Sequence, residues 1–387
     1  MKILLLAGEE SGVLYARRLE KSLRTVAGCE IEFRGYETEG FKTGDLAVMG
    51  FWPVLRRLGY FLGVAKTMKG VIAQWRPDVV VTIDYPGLNL KLAAHAKQLG
   101  IPAVHIVCPQ VWAWHQNRIP KIAAVLTKLL CFFPFEPALF AKTGLDAKFI
   151  GHPLVDVFAE ETSADGGGTP SLSGASAKGG RLLAVLPGSR LGEIRRHLSR
   201  LLKMLDLLAP GPSGLRVGIP AANARAEQEI GNWLTSDKIA ELKGRGIDVS
   251  VQRGGARELL RQASCAVVAS GTATLEAALA RCPTALVYAV SPLLAWFARR
   301  VIKDIHYIGL ANVIWEKSGG TGEAPMPEYL QEDFTPEAVA AKLGEWLGNE
   351  TARLAAKRRL DEAMALLHSD GDALGLAARE IIYGIGK

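Results

Sequence analysis

The 387-residue chain has no run of about eighteen uncharged apolar residues, so no transmembrane helix is expected from it. Its apolar opening, Met1-Lys2-Ile3-Leu4-Leu5-Leu6, stops at Ala7-Gly8-Glu9-Glu10, too soon for a secretory leader, and reads as a first strand. Cysteine is scarce. The five thiols, Cys29, Cys108, Cys131, Cys265 and Cys282, show no metal-type spacing and read as buried groups in a reducing compartment. Neither a structural metal nor a cofactor is therefore expected. The net charge of +7 is not gathered into a basic block interleaved with aromatics, which argues against nucleic acid. It suits a phosphate-bearing substrate or an acidic membrane surface.

What is present is a repeated strand–helix alternation. Strands are expected over 3–6, 77–84, 102–107 and 129–133, with helices over 13–26 and 88–99. The Val79-Val80-Val81 run looks buried on both faces, as in a parallel sheet. Between 160 and 180 the composition turns to Gly, Ser, Ala and Thr, too little apolar surface to order itself. The alternation then restarts, with strands over 182–186, 215–219, 248–251, 265–269 and 284–288 and a helix over 192–208. Thr335-Pro336 supplies an N-cap and an N1 proline for a helix running to Leu347. The expected fold is α/β, two Rossmann-like domains facing across a cleft in the B-type glycosyltransferase architecture. The expected boundaries are 1–160, a linker or insertion over 161–181, a second domain over 182–360, and C-terminal helices over 361–387. Those last helices would pack on the first domain or on a partner subunit.

Two segments carry most of the chemistry. Val81-Thr82-Ile83-Asp84-Tyr85-Pro86 places the carboxylate of Asp84 at a strand tip, where it could accept a hydroxyl proton or simply cap a turn. Ser270-Gly271-Thr272-Ala273-Thr274 offers small residues and N–H groups at a helix start, a setting that stabilises an anion. Glu276, one turn on, could accept ribose hydroxyls or act as a helix-dipole carboxylate. Leu186-Pro187-Gly188-Ser189-Arg190 ends another strand; Arg190 could grip a diphosphate, with Glu193 in the same turn, or lie on the surface. Ser11 and Gly12 sit in a strand-to-helix turn that could touch substrate or merely cap the helix. The stretch 51–62 is aromatic and basic: Trp52, Leu55 and Phe61 could enter a membrane interface, or pack in the core, beside Arg56, Arg57, Lys66 and Lys69. A carboxylate opposite a phosphate cradle suggests an enzyme that uses a nucleotide-activated substrate.

Taken in order, nine segments closely resemble the lipid-A-disaccharide synthase family: residues 7–12, 47–51, 83–86, 109–114, 133–136, 151–154, 186–190, 270–276 and 327–331. The resemblance implies an inverting, metal-independent transfer of 2,3-diacylglucosamine from its UDP derivative to the 6-hydroxyl of 2,3-diacylglucosamine 1-phosphate (lipid X). It places the family's base on Asp84, its diphosphate arginine on Arg190, and its C-terminal cleft residues on Asn312 and Gln331. It also implies a cytoplasmic, peripheral enzyme on the anionic inner membrane of a Gram-negative-type bacterium, with a homodimer as one possible assembly. The chain departs from the family pattern at Val13, where aspartate is usual, at Gly87 and Leu88 beside the base, at His115 and at Ala311. Its segment 34–45 is also shorter than usual. The alternatives are a UDP-N-acetylglucosamine 2-epimerase-like enzyme on the same scaffold, or a non-catalytic lipid- or nucleotide-binding paralogue.

Overall fold

The computed structural model describes residues 1–8, 10–41, 58–113, 116–164, 181–291, 295 and 306–385. Trp52, Leu55 and the Gly/Ser-rich stretch 165–180 lie outside the described residues. In chain order the first elements are β1 (Lys2–Ala7), α1 (Glu10–Ala27), β2 (Glu32–Arg34), α2 (Leu58–Trp75), β3 (Val79–Ile83) and α3 (Pro86–Gln98). Then come β4 (Ala103–Ile106), α4 (Ile119–Val125), β5 (Lys128–Cys131), β6 (Asp146–Phe149), α5 (Pro153–Ala164), β7 (Arg181–Leu186) and α6 (Leu191–Leu207). These are followed by β8 (Leu215–Ala221), α7 (Ala224–Trp233), α8 (Ser236–Gly244), β9 (Ile247–Arg253), α9 (Ala256–Gln262), β10 (Cys265–Ala269), α10 (Thr272–Leu279) and β11 (Thr284–Tyr288). The chain closes with α11 (Leu310–Lys317), β12 (Glu328–Leu330), α12 (Pro336–Gly348), α13 (Glu350–Ala365) and α14 (Ala373–Ile382).

The chain divides into two units, Met1–Val157 with Leu367–Lys387, and Phe158–Leu366. Each is a parallel six-stranded sheet with helices between its strands, a Rossmann-like arrangement. The first sheet runs β2-β1-β3-β4-β5-β6 and the second β12-β11-β10-β7-β8-β9. In both, the chain starts at an interior strand, builds outward on one side, then returns to build on the other. The strand order therefore reverses at β1/β3 and at β7/β10, and at such reversals two loops diverge at the C-terminal strand ends and leave room for a ligand.

Local sequence explains the elements. Every residue of β3 is buried, and the one polar side chain among them, Thr82, meets His105 Nδ1 at 2.7 Å. In α6 the buried Ile194, Leu198, Leu201 and Leu205 recur at helical spacing and face the second core. Thr335 accepts the Ala338 N–H and starts α12 as its sequence predicts. Short strands β2, β6 and β12 were not expected; at three or four residues each they carry too little alternation to read.

The last helix, α14, belongs to the first unit. Its Leu374, Ala377, Ala378 and Ile381 join Leu19 and Leu23 of α1 in one core. Its Glu380 pairs with the buried Lys128, which also reaches Asp146 at 2.9 Å. One expectation needs correcting: Cys29 is exposed, because Gly28 takes a φ of 61° and ends α1 in a surface turn. The other four thiols are buried.

Candidate active site

In the first unit, Asp84 follows β3 at the β1/β3 reversal. Asp84 and Tyr85 both have φ of 50°, a left-handed conformation that costs a non-glycine residue about 1–3 kcal/mol. Their surroundings hold them there. The Asp84 N–H donates to Ile106 O at 2.9 Å. The fully buried Asn89 donates to Asp84 O at 2.8 Å and to Ile83 O at 3.3 Å, while its Oδ1 accepts from Tyr36 Oη at 2.6 Å. Gly8 is required opposite, since a Cβ there would lie 2.6 Å from the Tyr85 ring. Burial pushes the Asp84 carboxyl above the usual carboxylate range, and a hydrogen bond from the Tyr85 backbone opposes this only in part. A raised pKa makes the carboxylate a stronger base once ionised.

The other expected residues of this unit divide. Gly12 is buried where α1 packs on β1 and β3, and a Cβ there would meet Ala7 and Ile83 at ordinary contact distance. Ser11 lies in the first turn of α1, and its side chain is outside the described set. Phe61 turns inward, half buried, against Tyr60 and Tyr85, which corrects its expected place at a lipid surface. The outward side of α2 instead carries Leu62, 60% exposed, with Lys66 and Lys69 one and two turns on. Among the described residues no helix is long and apolar enough to cross a membrane.

Tertiary folding also gathers Cys108, Cys131 and Glu136 within 4.8 Å of one another, which their sequence spacing does not suggest. Glu136 accepts the Phe133 N–H at 3.1 Å, and burial pushes its carboxyl up to about 8. It is therefore largely neutral at pH 7, a hydrogen-bonded carboxylic acid under the Phe133–Phe135 turn.

In the second unit a cavity of about 280 Å³ opens at the β7/β10 reversal. Ser270, Gly271, Thr272, Ala273 and Glu276 line it from β10 and α10, and Gly188, Ser189 and Glu193 from the β7 side. The sequence separates these two sets by some eighty residues; the sheet brings them together. Gly271 at the N-cap of α10 has φ of 153°, and Gly188 has φ of 117° with Glu193 packed where a Cβ would sit. Burial raises the Glu276 carboxyl, and Arg257 Nε, 3.6 Å away, draws it back. Arg257 is itself held by Glu161 at 2.5 Å.

Four expected residues sit differently. Arg190 stands at the N-cap of α6, 60% exposed, with Nη1 3.0 Å from Glu193 at the rim of the cavity. Thr274 is buried and donates to Gly271 O at 2.8 Å, closing the first turn of α10 rather than lining the cavity. Asn312 is spent inside the fold: it donates to Met326 O and Glu328 Oε1 and accepts the Met326 N–H at 2.9 Å. Gln331, with φ of 53°, closes β12; with its amide oxygen and nitrogen exchanged it pairs with both backbone groups of Val290. Sequence reasoning passed over Asn89. Its signal was an uncharged polar residue in the buried stripe Leu88, Leu92, Ala96 of α3.

A family model described as lipid-A-disaccharide synthetase matches residues 3–373. A lipid-A-disaccharide synthase of Xanthomonas oryzae pv. oryzae (strain MAFF 311018) is 34% identical over 396 residues, covering 98% of this chain and 86% of the relative. One from Myxococcus xanthus (strain DK1622) is 33% identical over 352 residues, covering 88% and 87%. Among solved structures, an S. aureus MnaA–UDP co-structure superposes with a TM-score of 0.62 at 13% identity, covering 99% of this chain and 96% of that one. Acinetobacter baumannii MurG gives 0.55 at 14% identity, with 99% of each chain covered. At such identities the solved structures speak for the fold alone.

Proposed function

The chain belongs to the lipid-A-disaccharide synthase family, and from that premise we propose how its two units divide a single glycosyl transfer. It is a glycosyltransferase of lipid A biosynthesis. The first unit serves the acceptor lipid and the second holds a UDP-sugar. The 6-hydroxyl of 2,3-diacylglucosamine 1-phosphate gives its proton to Asp84 while its oxygen attacks the anomeric carbon of UDP-2,3-diacylglucosamine. The bond to the diphosphate breaks, UDP leaves with the electron pair, and a β-1,6-linked disaccharide forms with inversion. One base is enough for inversion, because leaving group and nucleophile occupy opposite faces.

The observation that carries this reading is the half-buried carboxylate of Asp84 at the β1/β3 reversal, borne on a left-handed backbone whose carbonyl Asn89 holds. At the other reversal, the N–H groups opening α10 suit the charge that develops on a departing diphosphate. Arg190 at the cavity rim adds a cation, so the transfer needs no metal at the diphosphate. Ser11 flanks the acceptor and Glu276 meets the ribose. Because both lipids reside in a bilayer, the first unit works at the cytoplasmic face of the inner membrane. The exposed Leu62, Lys66 and Lys69 of α2 are the described part of that contact.

The test is incubation with both lipids, read by mass. A disaccharide monophosphate plus free UDP, undiminished in excess EDTA, is expected. No disaccharide would refute the assignment, and a loss in EDTA restored by Mg²⁺ would refute the metal-free transfer.

A further inference from the structure

His197 of α6 is fully buried, one turn beyond Glu193 of the cavity lining. Its Nδ1 lies 2.9 Å from Pro187 O, and its Nε2 lies 3.0 Å from Ala289 N and 3.2 Å from Ala289 O. Burial pushes the imidazole below its ordinary range; the carbonyls of Pro187 and Ala289 and the Glu193 carboxylate oppose this, and Arg196 adds to it. The ring is therefore neutral at pH 7 and carries one hydrogen. Pro187 O can only accept, so that hydrogen sits on Nδ1 and is donated to it. Nε2 then accepts the Ala289 N–H, and only a protonated ring could use Ala289 O.

Pro187 follows β7 and Ala289 follows β11, the two strands that flank β10. Two strand spacings, roughly 10 Å, separate those ends, and the imidazole ties them across the end of β10. The Ala289 end is itself anchored. The oxygen of the same peptide, Tyr288 O, accepts the Gln331 N–H at 2.9 Å, and Arg200, one turn past His197, donates to Gln331 O at 2.8 Å. The Pro187 end is the turn that opens into the cavity. A peptide is planar and trans, so its C=O and N–H point in opposite directions. With Pro187 O held toward the ring, the Gly188 N–H points away from it, and Gly188 lines the cavity. Glu193 fills the place of a Gly188 Cβ, so two successive turns of α6 grip this one peptide. We propose that His197 is a positioning residue for the donor: its Nδ1–H sets the Pro187–Gly188 peptide so that the Gly188 N–H meets the diphosphate. This rests on the UDP-sugar site proposed above. An N–H aimed in advance at charge that grows as UDP leaves needs no reorganisation during the reaction.

The test is calorimetric UDP affinity and steady-state kinetics of the full chain in three variants. His197→Leu removes both bonds at similar volume. His197→Asn brings its amide nitrogen near the place of Nδ1 and keeps the Pro187 contact; His197→Gln reaches the place of Nε2 and keeps only the Ala289 contact. Expected for His197→Leu and His197→Gln is a UDP affinity about tenfold or more weaker, the worth of one hydrogen bond to a charged group, with the donor KM raised alike. His197→Asn should bind UDP nearly as the wild type does, and the acceptor KM should move in none of them. Wild-type UDP affinity in His197→Gln, or equal losses in His197→Asn and His197→Gln, would overturn the proposal. So would donor and acceptor KM rising together as the melting temperature falls, the mark of a merely structural residue. Should His197→Leu not fold, the Asn and Gln variants decide alone, since each keeps one of the two bonds. A wild type that binds no UDP would instead refute the donor site beneath the proposal.

Discussion

At the β3–α3 junction the left-handed bend falls on Asp84 and Tyr85, whereas at the β7–α6 and β10–α10 junctions it falls on Gly188 and Gly271. The four residues occupy equivalent places, just past a strand at a point where the strand order reverses. Where the backbone itself must meet a ligand, glycine turns without strain and leaves N–H groups open. Where a side chain must act, the bend keeps that side chain and its cost is offset by surrounding contacts: Asn89 on the Asp84 carbonyl, Ile106 on its N–H, and Gly8 making room for Tyr85. In the proposed transfer the first junction is the acid–base site and the others the cradle.

The largest expected effect lies at the first junction. Asp84→Ala should lower turnover by roughly 10²–10⁴-fold, the usual cost of losing a general base, while calorimetric UDP affinity stays unchanged. Wild-type turnover, or a parallel loss of UDP affinity, would erase the functional distinction between the junctions. Next comes the cradle: Arg190→Ala should weaken UDP binding about tenfold, because a charge-assisted phosphate contact is lost, with kcat at saturation less affected. Unchanged UDP affinity would show the exposed guanidinium serving contacts within the fold, Glu193 among them, rather than the diphosphate.

Burial of Asp84 also has a stability signature that the glycine junctions lack. Its folded pKa is raised, so its favourable, protonated form is fully present below the unfolded value of about 3.9 and is lost as pH rises through the folded value. Asp84→Asn should therefore raise the melting temperature at pH 8, by about 2–4 °C for each ~1 kcal/mol relieved, and give no gain near pH 4. A melting temperature equally shifted at both pH values would mean that the strain, not the charge, is relieved. The smallest effect concerns only the first unit. Leu62→Ser with Lys66→Glu should reduce flotation with anionic vesicles several-fold at unchanged melting temperature, as one apolar anchor and a cation worth ~1 kcal/mol are removed. Full flotation would detach the membrane contact from α2.

Much of this was legible beforehand. Val79-Val80-Val81 announced a doubly buried strand, and the strand after residue 264 ended where Ser270-Gly271 begins a helix. Thr335-Pro336 fixed the start of α12. Those features are local: burial on both faces, capping and fixed φ are decided within a few residues. Asp84 could be singled out by the same means, as a charged residue ending an apolar strand. Its rank as a base could not, because that depends on Asn89 and Tyr36, placed by two other segments.

Thr274 and Asn312 mark the limit most clearly. Thr274 suits a ligand site by its place at a helix start and Asn312 by the family resemblance, yet one closes its own helix turn and the other bridges Met326 and Glu328 inside the fold. Phe61 shows it again: an aromatic on a mixed helix can face lipid or Tyr85, and only the packing chooses. The sequence by itself determined the longer strands, their parallel class and the residue types at those strand ends, since these follow from hydrophobic pattern and turn chemistry over short spans; the short β2, β6 and β12 it did not. Tertiary structure alone decided which ends became neighbours. Strand order, β3 beside β1 and β10 beside β7, is fixed by long-range packing of whole sheets, and no local pattern encodes it.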